Sequence, residues 1–186
     1  MKLRTLSVTL AGLLATGLYT AVASAADLKV TMHKVNATGV GESIGTVSFR
    51  DSGELGLLII PNLFGLSPGA HGFHVHENPD CGPAVKDGKQ VPGGAAGGHY
   101  DPEGTGRHEG PVGTGHLGDL PVLLVGPDGT ATMAMFAPRL QVPDLVGRSL
   151  MVHAGGDNYS DEPAKLGGGG ARVACGVLEV DALDND

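Results

Sequence analysis

The chain has no tryptophan, and phenylalanine and tyrosine supply only 4 and 3 of its 186 residues. With 32 glycines present, that shortage points to tight turns and long loops, not to long helices. No amphipathic helical run longer than about two turns occurs, and no internal repeat or linker divides the chain. Cysteine is equally scarce. The only two, Cys81 and Cys175, exclude a sulfur-rich metal site, and in an oxidising compartment they read as one disulfide. Basic residues are few: 12 Lys and Arg stand against 20 Asp and Glu. So acidic a chain favours solubility and argues against a nucleic-acid partner, which would want a basic surface.

Long apolar runs are confined to the N-terminus. Lys2 and Arg4 precede a largely apolar, uncharged stretch from Leu6 to Val22, and Ala23-Ser24-Ala25 follows with small residues. This is the pattern of a secretory signal, with cleavage expected after Ala25. No cysteine sits at the junction, which argues against a lipoprotein. Residues 1–25 are therefore expected to direct export to the periplasm, and 26–186 to form one domain. No later run approaches the roughly 20 residues that span a bilayer, so no membrane association is expected after cleavage. Removing Lys2 and Arg4 leaves 10 basic against 20 acidic residues, a mature charge of −10.

Eight short β-rich runs cover Leu28–Val35, Ile44–Arg50, Leu55–Ile60, Gly72–Glu77, Leu120–Val125, Ala131–Phe136, Ser149–His153 and Arg172–Val180. Turn residues such as Asp51-Ser52-Gly53 and Pro127-Asp128-Gly129 separate them. The expected fold is all-β: an eight-stranded antiparallel Greek-key barrel or sandwich. Two Gly-rich stretches, about Asn78 to Gly118 and Ala154 to Ala171, are too long for simple turns and are expected to be functional loops.

What the chain has in plenty is histidine in a telling arrangement. His74 and His76 lie two apart on an expected strand, so both side chains leave one face. His71, of opposite parity, reads as a packed core histidine. His99, His108, His116 and Asp119 fall within 21 residues of the first loop. Three imidazoles and a carboxylate satisfy a closed four-coordinate zinc site. His153, at a strand end, can add a ligand to the His74/His76 pair. Imidazole suits copper and zinc alike, and Cu(II) prefers tetragonal nitrogen coordination, so a shared fourth histidine would complete that site.

The segments HGFHVHENPDC, GGHYDPEGTGRHEGPVGTGHLGDLPVL, MVHAGGDNYSD and GGARVACGV resemble the copper,zinc superoxide dismutase family in its secreted bacterial form. The likeness runs from about Leu28 to Val180. It implies one copper ion held by His74, His76, His99 and His153, and one zinc ion held by His99, His108, His116 and Asp119, with His99 bridging the two. It also implies that Asp157 hydrogen-bonds one ligand of each metal, that Cys81 and Cys175 are joined, and that Arg172 guides the superoxide anion. The reaction implied is dismutation of superoxide to oxygen and hydrogen peroxide by alternate reduction and reoxidation of copper. His99 and Arg172 are its catalytic residues, in a possible homodimer. Lys86, Lys89 and Lys165 are candidate steering charges, and His33 is unassigned. The alternatives are a non-catalytic exported copper or zinc store or delivery module, and a structural zinc domain. Complete ligand sets and the retained Arg172 weigh against the first. The second leaves His74, His76 and His153 without a role.

Overall fold

The computed structural model describes residues 27–179. The expected signal segment and the acidic tail Asp181–Asp186 lie outside the described residues. The described residues form eleven strands: β1 (Leu28–Asn36), β2 (Gly39–Asp51), β3 (Leu57–Leu63), β4 (Gly69–His71), β5 (Phe73–His76), β6 (Ala84–Lys86), β7 (Lys89–Val91), β8 (Leu123–Val125), β9 (Met135–Ala137), β10 (Arg148–His153) and β11 (Arg172–Leu178). Seven form one antiparallel sheet in the order β5-β10-β11-β1-β2-β3-β9, and β4 pairs with β8. The sheet curls into a half-barrel. Near its far edge Leu63 bridges to Ala131 in the chain after β8. One four-residue helix, Val142–Leu145, is the only α-helix among the described residues, and no described helix could cross a membrane.

Each of the eight expected runs has a counterpart in this set, with shifted ends. Leu55 belongs to a 3-10 turn, and the third strand runs on through Pro61 to Leu63. Proline is tolerated there because β9 pairs only with Leu57–Ile59. The Leu63 N–H bonds to Ala131 on that side, and the Pro61 nitrogen faces the same side with no strand opposite. The expected fourth run, Gly72–Glu77, is β5, and a further short strand, β4, precedes it.

The strands are two-faced, and the site depends on that. On β5, Phe73 and Val75 point into the main core with Leu150 and Val152 of β10, Phe49, Ile59 and Leu120. His74 and His76 occupy the opposite face and are buried too. On β10 the same alternation sends Met151 outward to a smaller cluster with Val35, Cys81, Ala96 and Cys175. The Cys81–Cys175 disulfide ties the loop after β5 to β11 across a sequence separation of 94.

Candidate metal centre

Backbone pairing brings the first loop to the strand histidines. Beyond the β10 partnership, β5 has a free edge, and two loop segments dock on it. Val75 N–H donates to the Gly118 carbonyl and Tyr100 N–H to the Val75 carbonyl, both at 2.9 Å, while Glu77 N–H donates to Gly98 at 3.1 Å. His76 thereby stands opposite His99, and His74 opposite Asp119. On the other side of β5, β10 pairs Met151 with His74, and His153 follows at the strand's end. A ladder thus assembles ligand-type side chains from positions 74 to 153 around one strand.

Two groups result. The ligand atoms of His74, His76, His99 and His153 lie within 4.8 Å of one another, as do those of His74, His99, His108 and Asp119. His99 belongs to both, and so does His74, whose ring stacks on that of His99 at 3.9 Å between centroids. His116 falls just outside the second close group: its Nδ1 is 3.5 Å from Asp119 Oδ1.

Each pinned ring has one nitrogen committed and one left free. His74 Nε2 donates to Asp157 Oδ2 and His108 Nε2 to Asp157 Oδ1, both at 2.7 Å. His76 Nδ1 donates to the Gly97 carbonyl at 3.1 Å, and His153 Nδ1 to Gly170 at 3.3 Å. The remaining nitrogens turn inward: His76 Nε2 lies 3.4 Å from His153 Nε2. Buried His74 Nδ1, His99 Nε2, His108 Nδ1 and His116 Nδ1 make no well-aligned hydrogen bond, although His108 Nδ1 lies 2.8 Å and His116 Nδ1 3.5 Å from Asp119 carboxylate oxygens. Four such imidazole nitrogens in one spot would be costly. A metal ion is the partner that satisfies converging lone pairs, so the donor set fits copper and zinc. Asp119 is held ready by the Glu109 and Gly110 N–H groups on Oδ2.

Electrostatics favour neutral imidazoles in the first group. Burial lowers His74 to about 3, with the neighbouring His99 adding to it, and lowers His153 to about 4. Burial also depresses His76 and His99. His108 behaves oppositely: burial resists its charging, but the Asp119 and Asp157 carboxylates outweigh that and raise it to about 9. Asp119 and Asp157 lie well below the usual carboxylate range, because their histidine partners outweigh burial.

Arg172 opens β11 opposite His153, where a register shift interrupts the β10 ladder. Its guanidinium donates to the Gly93 and Gly97 carbonyls. Gly97 therefore holds both Arg172 and His76, a carbonyl that sequence reasoning overlooked because glycine offers no side-chain signal. Arg172 lines a cleft of about 500 Å³ with Lys86, Val91, Gly97 and Leu166. Lys86 pairs with Lys89 in the β6–β7 hairpin, while Lys165 is absent from that lining. His71 is packed as expected, its ring nitrogens 2.6 Å from the His153 carbonyl and 2.7 Å from the Ser67 carbonyl. His33 lies away from the cluster, opposite Cys175.

Fold and site together define a β-rich protein whose half-barrel carries two adjoining histidine–carboxylate groups able to hold metal ions. Residues 43–178 match the family model for copper/zinc superoxide dismutase (SODC). The chain belongs to that family, and is an oxidoreductase with copper and zinc as its metals. It is 58% identical to Superoxide dismutase [Cu-Zn] 2 of Salmonella typhimurium over 158 residues, covering 84% of this chain and 91% of that one. It is similar to the solved Cu/Zn superoxide dismutase of Brucella abortus, with TM-score 0.81, 53% identity, and coverage of 83% and 100%. The solution structure of the monomeric copper, zinc enzyme of Salmonella enterica gives TM-score 0.74 and 56% identity, again over 83% and 100%.

Proposed function

We propose that this chain dismutates superoxide with copper held by His74, His76, His99 and His153 and zinc held by His99, His108, His116 and Asp119. The observation that carries this reading is that buried ring nitrogens of His74, His99 and His108 make no hydrogen bond while their opposite nitrogens are pinned to Asp157 and Asp119. The chemistry copper supplies when bound is one-electron exchange, one superoxide being oxidised to oxygen and a second reduced, with two protons, to hydrogen peroxide; zinc has no redox chemistry.

The chain's own residues do the rest. His99 has its two nitrogens in different settings: Nδ1 lies 2.9 Å from Asp119 Oδ1, while Nε2 makes no hydrogen bond. It is the bridging ligand, and Nε2 is the atom that takes up and returns a proton. Asp157 fixes the tautomers of His74 and His108 together, as acceptors beside ligating imidazoles do. Arg172, its fork oriented by two carbonyls, attracts and aligns the anion, with Lys86 across the cleft adding positive charge. This resolves the overall acidity of the chain, since steering depends on where charge lies and not on its total.

Metal titration tests the division of ligands. The native chain should take up one copper and one zinc, with the copper spectrum responding to zinc. His99→Ala should abolish that response. Independent copper and zinc spectra in the native chain would overturn the bridge.

Export to the periplasm, with 26–186 as one domain, is part of the same reading. Protein recovered from the periplasm should begin at Ala26, whereas a retained Met1 would contradict it. The resemblance allows a homodimer; sedimentation at the mass of one chain would exclude it.

A further inference from the structure

The run Gly167–Gly170 sits in the second loop without a ligand or charge of its own. Three of its four members have positive φ and face different surroundings. Gly167, at φ +67°, has its missing Cβ directed at Asp157: that atom would overlap Oδ1, stand 2.5 Å from Cγ and come within 2.9 Å of His108 Nε2. Gly168, at φ +78°, has nothing nearer than the Ala164 Cβ at 3.8 Å. Gly170, at φ +69°, has only the Gly168 carbonyl at 3.9 Å. All three hold the left-handed backbone that favours glycine, but only Gly167 abuts the carboxylate.

Gly167 is also wired to the residues flanking Asp157. Its N–H donates to the Ser160 carbonyl at 2.9 Å, and its carbonyl accepts the Asn158 N–H at 3.2 Å. Asp157 in turn accepts the Tyr159 N–H at 2.8 Å as well as the two histidines. Bare backbone at 167 thus forms the wall against which a carboxylate with no exposed side-chain surface is seated.

We infer that Gly167 is a positioning residue for the metal centre: its lack of a side chain sets the place of Asp157, and through Asp157 the orientation of His74 and His108. The inference rests on the reading of the site as paired copper and zinc half-sites. Its consequence is that a single methyl group at 167 lowers zinc affinity by disturbing Asp157, without replacing any ligand.

The test is zinc binding by the purified full chain, measured in competition with a chromophoric chelator. Gly167→Ala should weaken binding by about ten- to a hundredfold, the range for lost hydrogen-bond support of a metal ligand. Gly168→Ala carries the same backbone strain without the collision and should bind as the native chain does. In an Asp157→Ala background, Gly167→Ala should cause a much smaller loss, because the carboxylate it displaces is gone and only the approach to His108 Nε2 is left. Native affinity in Gly167→Ala, or an equal loss in the Asp157→Ala background, would overturn the inference. Should Gly167→Ala alone fail to fold, recovery of folding in the double variant supports the inference and continued failure refutes it. A native chain that binds no zinc overturns the site reading and this inference together; a native chain that binds zinc while Gly167→Ala binds equally overturns the inference alone.

Discussion

His74 and Asp157 are 83 positions apart in sequence, yet His74 Nε2 donates to Asp157 Oδ2 at 2.7 Å with neither side chain exposed. The second oxygen of the same carboxylate accepts from His108, so one residue of the second loop couples a strand histidine to a first-loop histidine. Asp157→Asn keeps the shape but replaces one acceptor oxygen with a donor. It should cut zinc affinity by about ten- to a hundredfold, as measured by chelator competition, while the fold is retained.

Arg172 separates charge from geometry. Arg172→Lys keeps the charge but loses the fork that spans Gly93 and Gly97, whereas Arg172→Ala loses both. Arg172→Ala should lower kcat/KM for superoxide on the order of tenfold or more, and Arg172→Lys by less, with metal content unchanged in both. Lys86→Glu should reduce the rate mainly at low ionic strength, because exposed charges act through a salt-screened field. Rate measurements across a salt series check both expectations.

The disulfide holds the loop that carries Gly93 and Gly97. Replacing Cys81 and Cys175 by serine should cost about 2–5 kcal/mol of stability. The loop carbonyls that orient Arg172 and His76 should loosen as well. Denaturant melts and superoxide kinetics on the double variant test this, and activity should fall even where the chain remains folded.

Without metals, the centre should be acid-labile. His153 and His74 are lowered from 6.5 to about 4 and about 3, chiefly by burial. Between 6.5 and those values the unfolded chain binds protons that the folded chain does not, so stability present above pH 6.5 is lost as pH falls. Asp119 and Asp157, both lowered from 3.8, add a further loss below that value. His108 has the opposite sign. Raised to about 9 by its two carboxylates against the effect of burial, it contributes below pH 6.5 and fades as pH rises through 9. Melting temperatures of metal-free protein should therefore fall on the acid side of pH 6.5, with a separate decline near pH 9; a flat acid limb would contradict the buried, neutral state of His74 and His153.

Much of this was legible from parity and spacing. The two-residue step from His74 to His76 puts both on one face, and the opposite parity of His71 marks it as a packing residue. The cluster of His99, His108, His116 and Asp119 on one loop announces a site, but its docking on the free edge of β5 depends on backbone bonds at Gly98, Tyr100 and Gly118 that no side chain advertises. The β6–β7 hairpin was hidden inside that loop because its strands are three residues long and half polar. Gly97 and Gly167 escaped notice for a related reason: one acts through its carbonyl and the other through the space it leaves.

Stopped-flow consumption of superoxide by the copper- and zinc-loaded chain, set against His76→Ala with metal content measured on the same samples, tests the central claim most directly. His76 belongs to the first group of histidines alone, so its loss should leave zinc in place and reduce consumption to that of copper-free protein. Rapid consumption by His76→Ala at full copper occupancy would contradict the assignment of the copper ligands.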